Sequence, residues 1–172
     1  MNAAEKYDVL VLGSGTAGKL MAWTMAKAGK RTAVVERKYI GGSCPNVACL
    51  PSKNVIHSAK VASLVGRHRE FGIETGPISI DMAGVYVRKR DMVDGIVQIH
   101  LGKYHAAGDE LILGDGTFVA PRTLHVALPD GGERTLTADR VFVNVGTHAL
   151  IPDTPGLREA KPMTHIEALD LQ

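Results

Sequence analysis

The sequence predicts an α/β fold with a parallel central sheet, inserted helices and a small antiparallel β-meander. Three observations carry that prediction. An apolar run over residues 7–12 leads into a glycine-rich turn and then a helical pattern. Short β-branched runs separated by turn residues follow Gly108. A last apolar run, residues 141–145, suits a strand covered on both faces.

Residues 7–12 read as the first strand, closed by Gly13-Ser14-Gly15-Thr16-Ala17-Gly18. Ala17, Met21, Thr24, Met25 and Ala28 then share one face at helical spacing, Gly29 supplies a stop, and residues 32–35 form a second strand ending at Glu36. From Pro45 to about Arg69 the pattern is helical, with Val55, Ala59, Ala62 and Val65 on one face; Gly72, Gly76 and Pro77 interrupt it. A long third helix is expected after Asp81. Val85, Met92, Ile96, Ile99 and Lys103/Tyr104 recur near its period, although Gly84, Gly95 and Gly102 weaken its continuity. The meander is expected from Leu111-Ile112-Leu113, a turn at Asp115-Gly116, residues 123–128, a turn at Pro129-Asp130-Gly131-Gly132 and residues 134–137. Residues 141–145 return to the central sheet, and Gly146 closes them. The tail, 148–172, contains Pro152, Pro155 and Pro162 and reads as a connector, which divides the chain into a domain 1–147 and a connector 148–172.

Composition excludes several classes. With 172 residues, 45% hydrophobic and 22% charged, the chain can bury one sizeable core and is not compositionally disordered. A formal charge of +2 is spread along it. The densest basic run, Arg88-Lys89-Arg90, is followed by Asp91 and reads as a solvated helix face, so no nucleic-acid footprint is expected. Residues 9–12 are far too short to span a bilayer, and residues 1–7 lack a basic start followed by an apolar core, so a cytoplasmic protein without membrane contact is expected.

The glycine turn sits between a strand and a helix with an acidic residue ending the next strand, the context that gives such a turn meaning. Gly13 permits the tight turn, Gly15 lets backbone approach a pyrophosphate, and Gly18 allows close helix–strand contact. The helix N-terminus offers unpaired N–H groups to the phosphate charge, and Glu36 would accept hydrogen bonds from an adenosine ribose. The reading is a Rossmann-like dinucleotide fold. These residues leave FAD and NAD equally open.

Only two cysteines occur, Cys44 and Cys49. A zinc site wants about four ligands, and His57 alone stands nearby, so no metal is expected and redox chemistry is the better reading. Residues five apart in a regular helix have Cα atoms roughly 8–9 Å apart, whereas a disulfide wants about 4.4–6.8 Å. The two cysteines therefore cannot both lie in regular helix if they bond. Pro45 suits a first helical position, leaving Cys44 at the mouth of a helix whose positive end favours thiolate. His57, His100, His125 and His148 lack ligand spacing and read as surface or core.

Residues 41–53, Gly-Gly-Ser-Cys-Pro-Asn-Val-Ala-Cys-Leu-Pro-Ser-Lys, resemble the flavoprotein disulfide reductase family, which includes glutathione reductase, dihydrolipoamide dehydrogenase and mercuric reductase. The family pattern GGT-C-x-N-x-G-C-x-P-[ST]-K matches except at Ser43, which keeps the hydroxyl of Thr, and Ala48, which replaces Gly. Val143-Asn144-Val145-Gly146-Thr147 resembles the family's ATG-type segment, with Val145 where Thr is usual, and the resemblance covers nearly the whole chain. It implies a three-layer FAD/NAD(P)-binding fold. It also implies that Cys44 is the interchange thiol, Cys49 the flavin-proximal thiol, and Lys53 a neighbour of the flavin N5. Cofactor contacts are implied at Gly13, Ser14, Gly15, Gly18, Glu36 and Arg37, and further at Gly42, Ser43, Lys53, Gly116 and Gly146.

In such enzymes a nicotinamide-binding domain and a dimerisation domain follow. The resemblance thus implies FAD here, NAD(P)H and a homodimer in a full-length enzyme, and a disulfide or mercuric substrate, with this portion alone inactive. A stand-alone flavin-binding thiol module and an NAD-dependent dehydrogenase fragment are the competing readings. The second leaves residues 44–53 without purpose.

Overall fold

The computed structural model describes residues 3–172, so the leader reading of residues 1–7 begins outside the described residues. The order is β1 (Glu5–Leu12), α1 (Thr16–Lys27), β2 (Thr32–Glu36), α2 (Ser43–Asn46), α3 (Cys49–Gly66), a 3-10 turn His68–Phe71, α4 (Met82–Ala107), β3 (Glu110–Leu113), β4 (Asp115–Ala120), β5 (Thr123–Ala127), β6 (Glu133–Val143) and α5 (His165–Ala168). The chain forms two compact units. One holds residues through Asn46 together with Ile96–Thr147; the other holds Val47–Gly95 and His148–Gln172.

The first unit is built on one six-stranded sheet, ordered β3-β2-β1-β6-β5-β4. β3, β2, β1 and β6 are parallel neighbours, and β6, β5 and β4 are antiparallel. The apolar runs in β1 and β2 are explained by cover on both faces. Leu10 joins Ala33, Val35 and Ile112 in a cluster that also contains Leu124, Val126 and Leu136 from β5 and β6. Val9 and Val11 pack with Ala22 of α1, Val34 and Tyr104 of α4. Helices thus cover one face and the antiparallel strands curl over the other. At the N-terminal end of β1, Arg134 grips Glu5 through two hydrogen bonds of 2.8 and 2.7 Å and Glu110 through one of 2.8 Å, while the Tyr7 hydroxyl donates to Glu110.

The α/β class is as predicted, but several elements differ. Leu111-Ile112-Leu113 lies in β3, which pairs in parallel with β2 rather than starting the meander. Asp115-Gly116 is not a turn but the start of β4: a Cβ on Gly116 would lie 2.7 Å from Leu12 Cδ1 and 3.2 Å from Val35 Cγ1, so the glycine lets β4 pack down onto β1 and β2. Residues 134–137 and 141–145 are not two strands. β6 is continuous, pairing with β5 over its first residues and with β1 from Leu136 to Val143.

On α1 the buried positions are Gly18, Lys19 and Ala22, while Ala17, Thr24 and Ala28 are exposed, so the inward face is turned from the predicted one. α4 runs unbroken through three glycines and buries Lys89, Val93, His100 and Tyr104, whereas Ile99 is exposed. In the second unit Val55, Ala62 and Val65 are half-buried on α3 and Ala59 is exposed. Lys89 is 2% exposed there, against the solvated-face reading of Arg88-Lys89-Arg90. Its ammonium donates to Asp170 at 2.5 Å and to the Leu169 carbonyl at 2.7 Å and lies 4.3 Å from the Tyr86 ring centroid. The tail also holds a reciprocal capping box between Thr164 and Glu167 at the start of α5. No helix among the described residues is long and apolar enough to cross a membrane.

Candidate functional site

Three backbone segments converge at the C-terminal end of β1. The Asn144 amide N–H donates to Leu12 O at 2.8 Å, and its side-chain Nδ2 donates to Gly13 O at 3.2 Å. The glycine turn packs against that residue: a Cβ would lie 2.3 Å from Asn144 O at Gly13, 2.9 Å from Asn144 Nδ2 at Gly15, and 2.2 Å from Gly13 O at Gly18. Gly13 in addition has φ +99°, open to glycine alone without strain. The second glycine loop then meets the first. Gly42, at φ +85°, sits so that a Cβ would lie 2.5 Å from Gly15 Cα. Asn46 Nδ2 holds the loop by donating to Ile40 O at 2.9 Å and Gly42 O at 2.7 Å.

Beside this cradle α1 begins at Thr16 with no side-chain cap and no acidic residue in its first turn. Its leading N–H groups and the positive end of its dipole suit an anion. A pyrophosphate fits this backbone: bare glycine walls, an uncapped helix end and no acidic residue in the first turn of α1. Asn144 belongs to the segment 143–147, and its bracing role becomes visible once β6 lies beside β1.

Glu36 ends β2 as predicted. Its Oε2 accepts from Ser14 N at 2.9 Å and Ser14 Oγ at 2.6 Å, and its Oε1 accepts from Lys38 N at 2.7 Å and Tyr39 N at 2.9 Å. Burial pushes its pKa up, but the Ser14 hydroxyl and the three N–H groups together outweigh burial and hold the carboxyl below its ordinary range. A carboxylate has about four lone-pair sites, and all four are engaged within the protein. Ser14, fully buried, also accepts from Gly41 N at 2.9 Å, so Glu36, Ser14 and the second glycine loop form one chain of hydrogen bonds. Arg37 is exposed, 4.0 Å from Asp115. Ser43 and Gly146 are exposed as well.

Cys44 lies half-buried in α2. The long helix does not start at Pro45 as predicted: Pro45 closes with Cys44 into the four-residue α2, and non-helical Ala48 precedes a new start at Cys49. In the second unit Cys49 is exposed at the first position of α3, with Lys53 four residues on and so one turn along the same face. Ala48 has φ −135°, so this position does not require the glycine of the family pattern. Both cysteines are present as thiols. His100, predicted as surface or core, is buried in the first unit; His57 and His148 are exposed. No group of three or more His, Cys, Asp or Glu among the described residues could hold a metal ion.

A strand, a glycine turn, an open helix end and an acidic residue ending the neighbouring strand define a Rossmann-like α/β protein of the dinucleotide-binding kind. The chain belongs to the pyridine nucleotide-disulphide oxidoreductase family, whose model matches residues 7–171. It is 38% identical over 152 residues to a dihydrolipoyl dehydrogenase of Mycobacterium tuberculosis, covering 86% of this chain and 32% of the relative. It is 32% identical over 175 residues to a mercuric reductase of Acidithiobacillus ferrooxidans, covering 98% of this chain and 31% of that protein. Among solved structures it resembles a Cu(II) complex of the HOCl-induced flavoprotein disulfide reductase RclA from Escherichia coli, with TM-score 0.77, 27% identity, and coverage of 99% of this chain and 35% of the other. The chain therefore spans about a third of the length of these relatives.

Proposed function

We propose that the chain is the FAD-binding, thiol-bearing portion of an NAD(P)H-dependent flavoprotein disulfide oxidoreductase. The observation that carries this is the meeting of the two glycine loops: Gly15 and Gly42 touch through backbone alone beside an uncapped helix end. Within the family that loop leads directly into Cys44. Gly13, Gly15, Gly18 and Gly42 would line the pyrophosphate, and Glu36 would serve the ribose by exchanging one of its present donors for a hydroxyl. Arg37, Ser43, Gly116 and Gly146 complete the proposed contacts, with Lys53 facing the flavin ring. A bound flavin supplies two-electron transfer between a nicotinamide and a disulfide.

The chain's own part in turnover is thiol chemistry at Cys44 and Cys49. Cys44 as thiolate attacks the substrate, and Cys49 resolves the mixed disulfide, leaving a Cys44–Cys49 bond to be reduced again. The relatives named for lipoyl and mercuric substrates support a disulfide or mercuric substrate. Residues 1–147 are proposed as the FAD domain and 148–172 as the connector to an NAD(P)-binding domain, in a cytoplasmic homodimer.

The test is reconstitution and spectroscopy. After gel filtration the chain should retain added FAD, seen as a flavin absorbance at ~450 nm, and should not retain added NAD. In the full-length enzyme, Cys44→Ser should abolish turnover and keep a long-wavelength charge-transfer band, whereas Cys49→Ser should erase both. A full-length enzyme that binds no FAD, or turns over without either sulfur, would overturn the proposal.

A further inference from the structure

Lys19 follows the last glycine of the turn and points its ammonium into the first unit, where the residue is 9% exposed. Its Nζ donates to Gly41 O at 3.3 Å and lies 3.0 Å from His100 Nε2. Neither partner is an anion. Burial is the largest influence on Lys19 and lowers its pKa; Cys44, whose thiolate would favour the ammonium, opposes this, and Lys103 adds to it. An ammonium removed from water without a carboxylate is costly. The anion able to balance it here is Cys44 itself, three residues beyond the carbonyl that Lys19 holds.

His100 fixes the arrangement. It is 9% exposed on α4, and its ring packs so closely on the loop that a Cβ on Gly41 would lie 2.3 Å from Nδ1. Among the described residues Nδ1 is buried without a hydrogen-bond partner, and the polar contact of the ring is Nε2 toward Lys19. An ammonium has donors alone, so Nε2 must accept and the ring must be neutral with its proton on Nδ1. Burial, then Lys19 and Lys103, all lower the His100 pKa and favour that neutral form.

We propose that Lys19 and His100 form a buried positioning pair for Cys44, in which His100 holds the Lys19 ammonium beside the second glycine loop so that Cys44 gives up its proton to solvent more readily. No oxidant or reductant enters this step: the Sγ–H bond ionises, the electron pair stays on sulfur and the proton leaves to water. Because two groups influence each other equally, a Cys44 thiolate that favours the Lys19 ammonium is itself favoured by it. The inference rests on reading Cys44 as the attacking thiol of the proposed redox pair.

The experiment follows iodoacetamide alkylation of Cys44 against pH in the 172-residue chain carrying Cys49→Ser. Lys19→Met should move the half-maximal pH upward by about one unit, a roughly tenfold slower reaction at neutral pH, and Lys19→Arg should restore most of it. His100→Gln should give a smaller slowing, about twofold to fivefold. The reciprocal measurement needs no change at Lys19: the Lys19 15Nζ resonance should titrate at lower pH when Cys44→Ser is added. Alkylation within twofold of the parent in Lys19→Met overturns the inference, as does a Lys19 titration indifferent to Cys44; if Lys19→Met does not fold, the titration decides. Closure of the Cys44–Cys49 bond by oxidised glutathione is scored separately in the unsubstituted chain. A chain that closes but shows neither shift loses the positioning pair and keeps the redox reading; one that shows the shifts without closing does the reverse.

Discussion

Glu36 and Asp109 are both buried carboxyls of the first unit, and their surroundings drive them apart. Glu36 accepts four hydrogen bonds and is held below its ordinary range, so the stability it provides is present above the unfolded-state pKa and is lost as pH falls through the folded one. Asp109, 7% exposed, has both carboxyl oxygens buried without hydrogen-bond partners among the described residues, and burial pushes its pKa from 3.8 to about 6. Its contribution has the opposite sign, complete below the unfolded value and lost as pH rises through about 6. Urea titrations from pH 4 to 8 should therefore show Asp109→Asn gaining about 1–3 kcal/mol at pH 8 and nothing at pH 4. Glu36→Gln should lose about 1–3 kcal/mol at pH 8, because an amide N now faces donors, with the deficit shrinking toward acid. Parallel pH profiles for the two variants would contradict this assignment. Glu36 was legible in the sequence because an acid closing the second strand has a stereotyped place. Its four donors were not, since two are backbone amides of the loop after β2, whose path no side-chain pattern encodes, and two belong to Ser14 in the glycine turn.

The glycine motif was readable as an element because each of its glycines is required by a neighbour's backbone. The spacing did not show which neighbour. Asn144 and Gly42 arrive from β6 and from the loop before α2, and sequence separation hides both contacts. The same limit explains the misread face of α1. Lys19 and Lys89 look like solvent positions by type, yet each is buried, and on α1 the apolar stripe drawn without Lys19 was turned around the helix. Gly42→Ala tests the loop contact. A methyl 2.5 Å from Gly15 Cα, on a backbone at φ +85°, must push the two loops apart. FAD affinity should fall at least about tenfold while far-ultraviolet circular dichroism stays unchanged. A variant retaining parental affinity would remove the loop meeting as the basis of the cofactor reading.

Across the whole chain, continuity was the hardest property to read. The break between α2 and α3, the union of two predicted strands in β6, and the passage of α4 through Gly84, Gly95 and Gly102 each depend on tertiary contacts that outweigh local propensity. The fold class survived these errors because it rests on the strand–turn–helix beginning and the strong last strand. In the second unit the tail is fastened to α4 by Lys89 and Asp170. Asp170→Ala leaves a buried ammonium with one carbonyl partner and should cost about 1–3 kcal/mol locally. Trypsin should then cut at Arg158 several-fold faster, with cleavage in the first unit unaffected. Equal cutting rates would show that the tail is held by other means.

β1 takes its place between β2 and β6, and its partners on the β6 side stand about 130 residues further along the chain. On a ribosome adding roughly 5–20 residues per second, the first strand emerges many seconds before the strand that will flank it. During that interval its apolar edge is open to any passing extended segment. Vectorial synthesis thus makes the N-terminal hairpin-free strand the aggregation-sensitive part of the nascent polypeptide, and a chaperone that shields residues 5–12 until residue 143 has cleared the exit tunnel should raise the soluble yield.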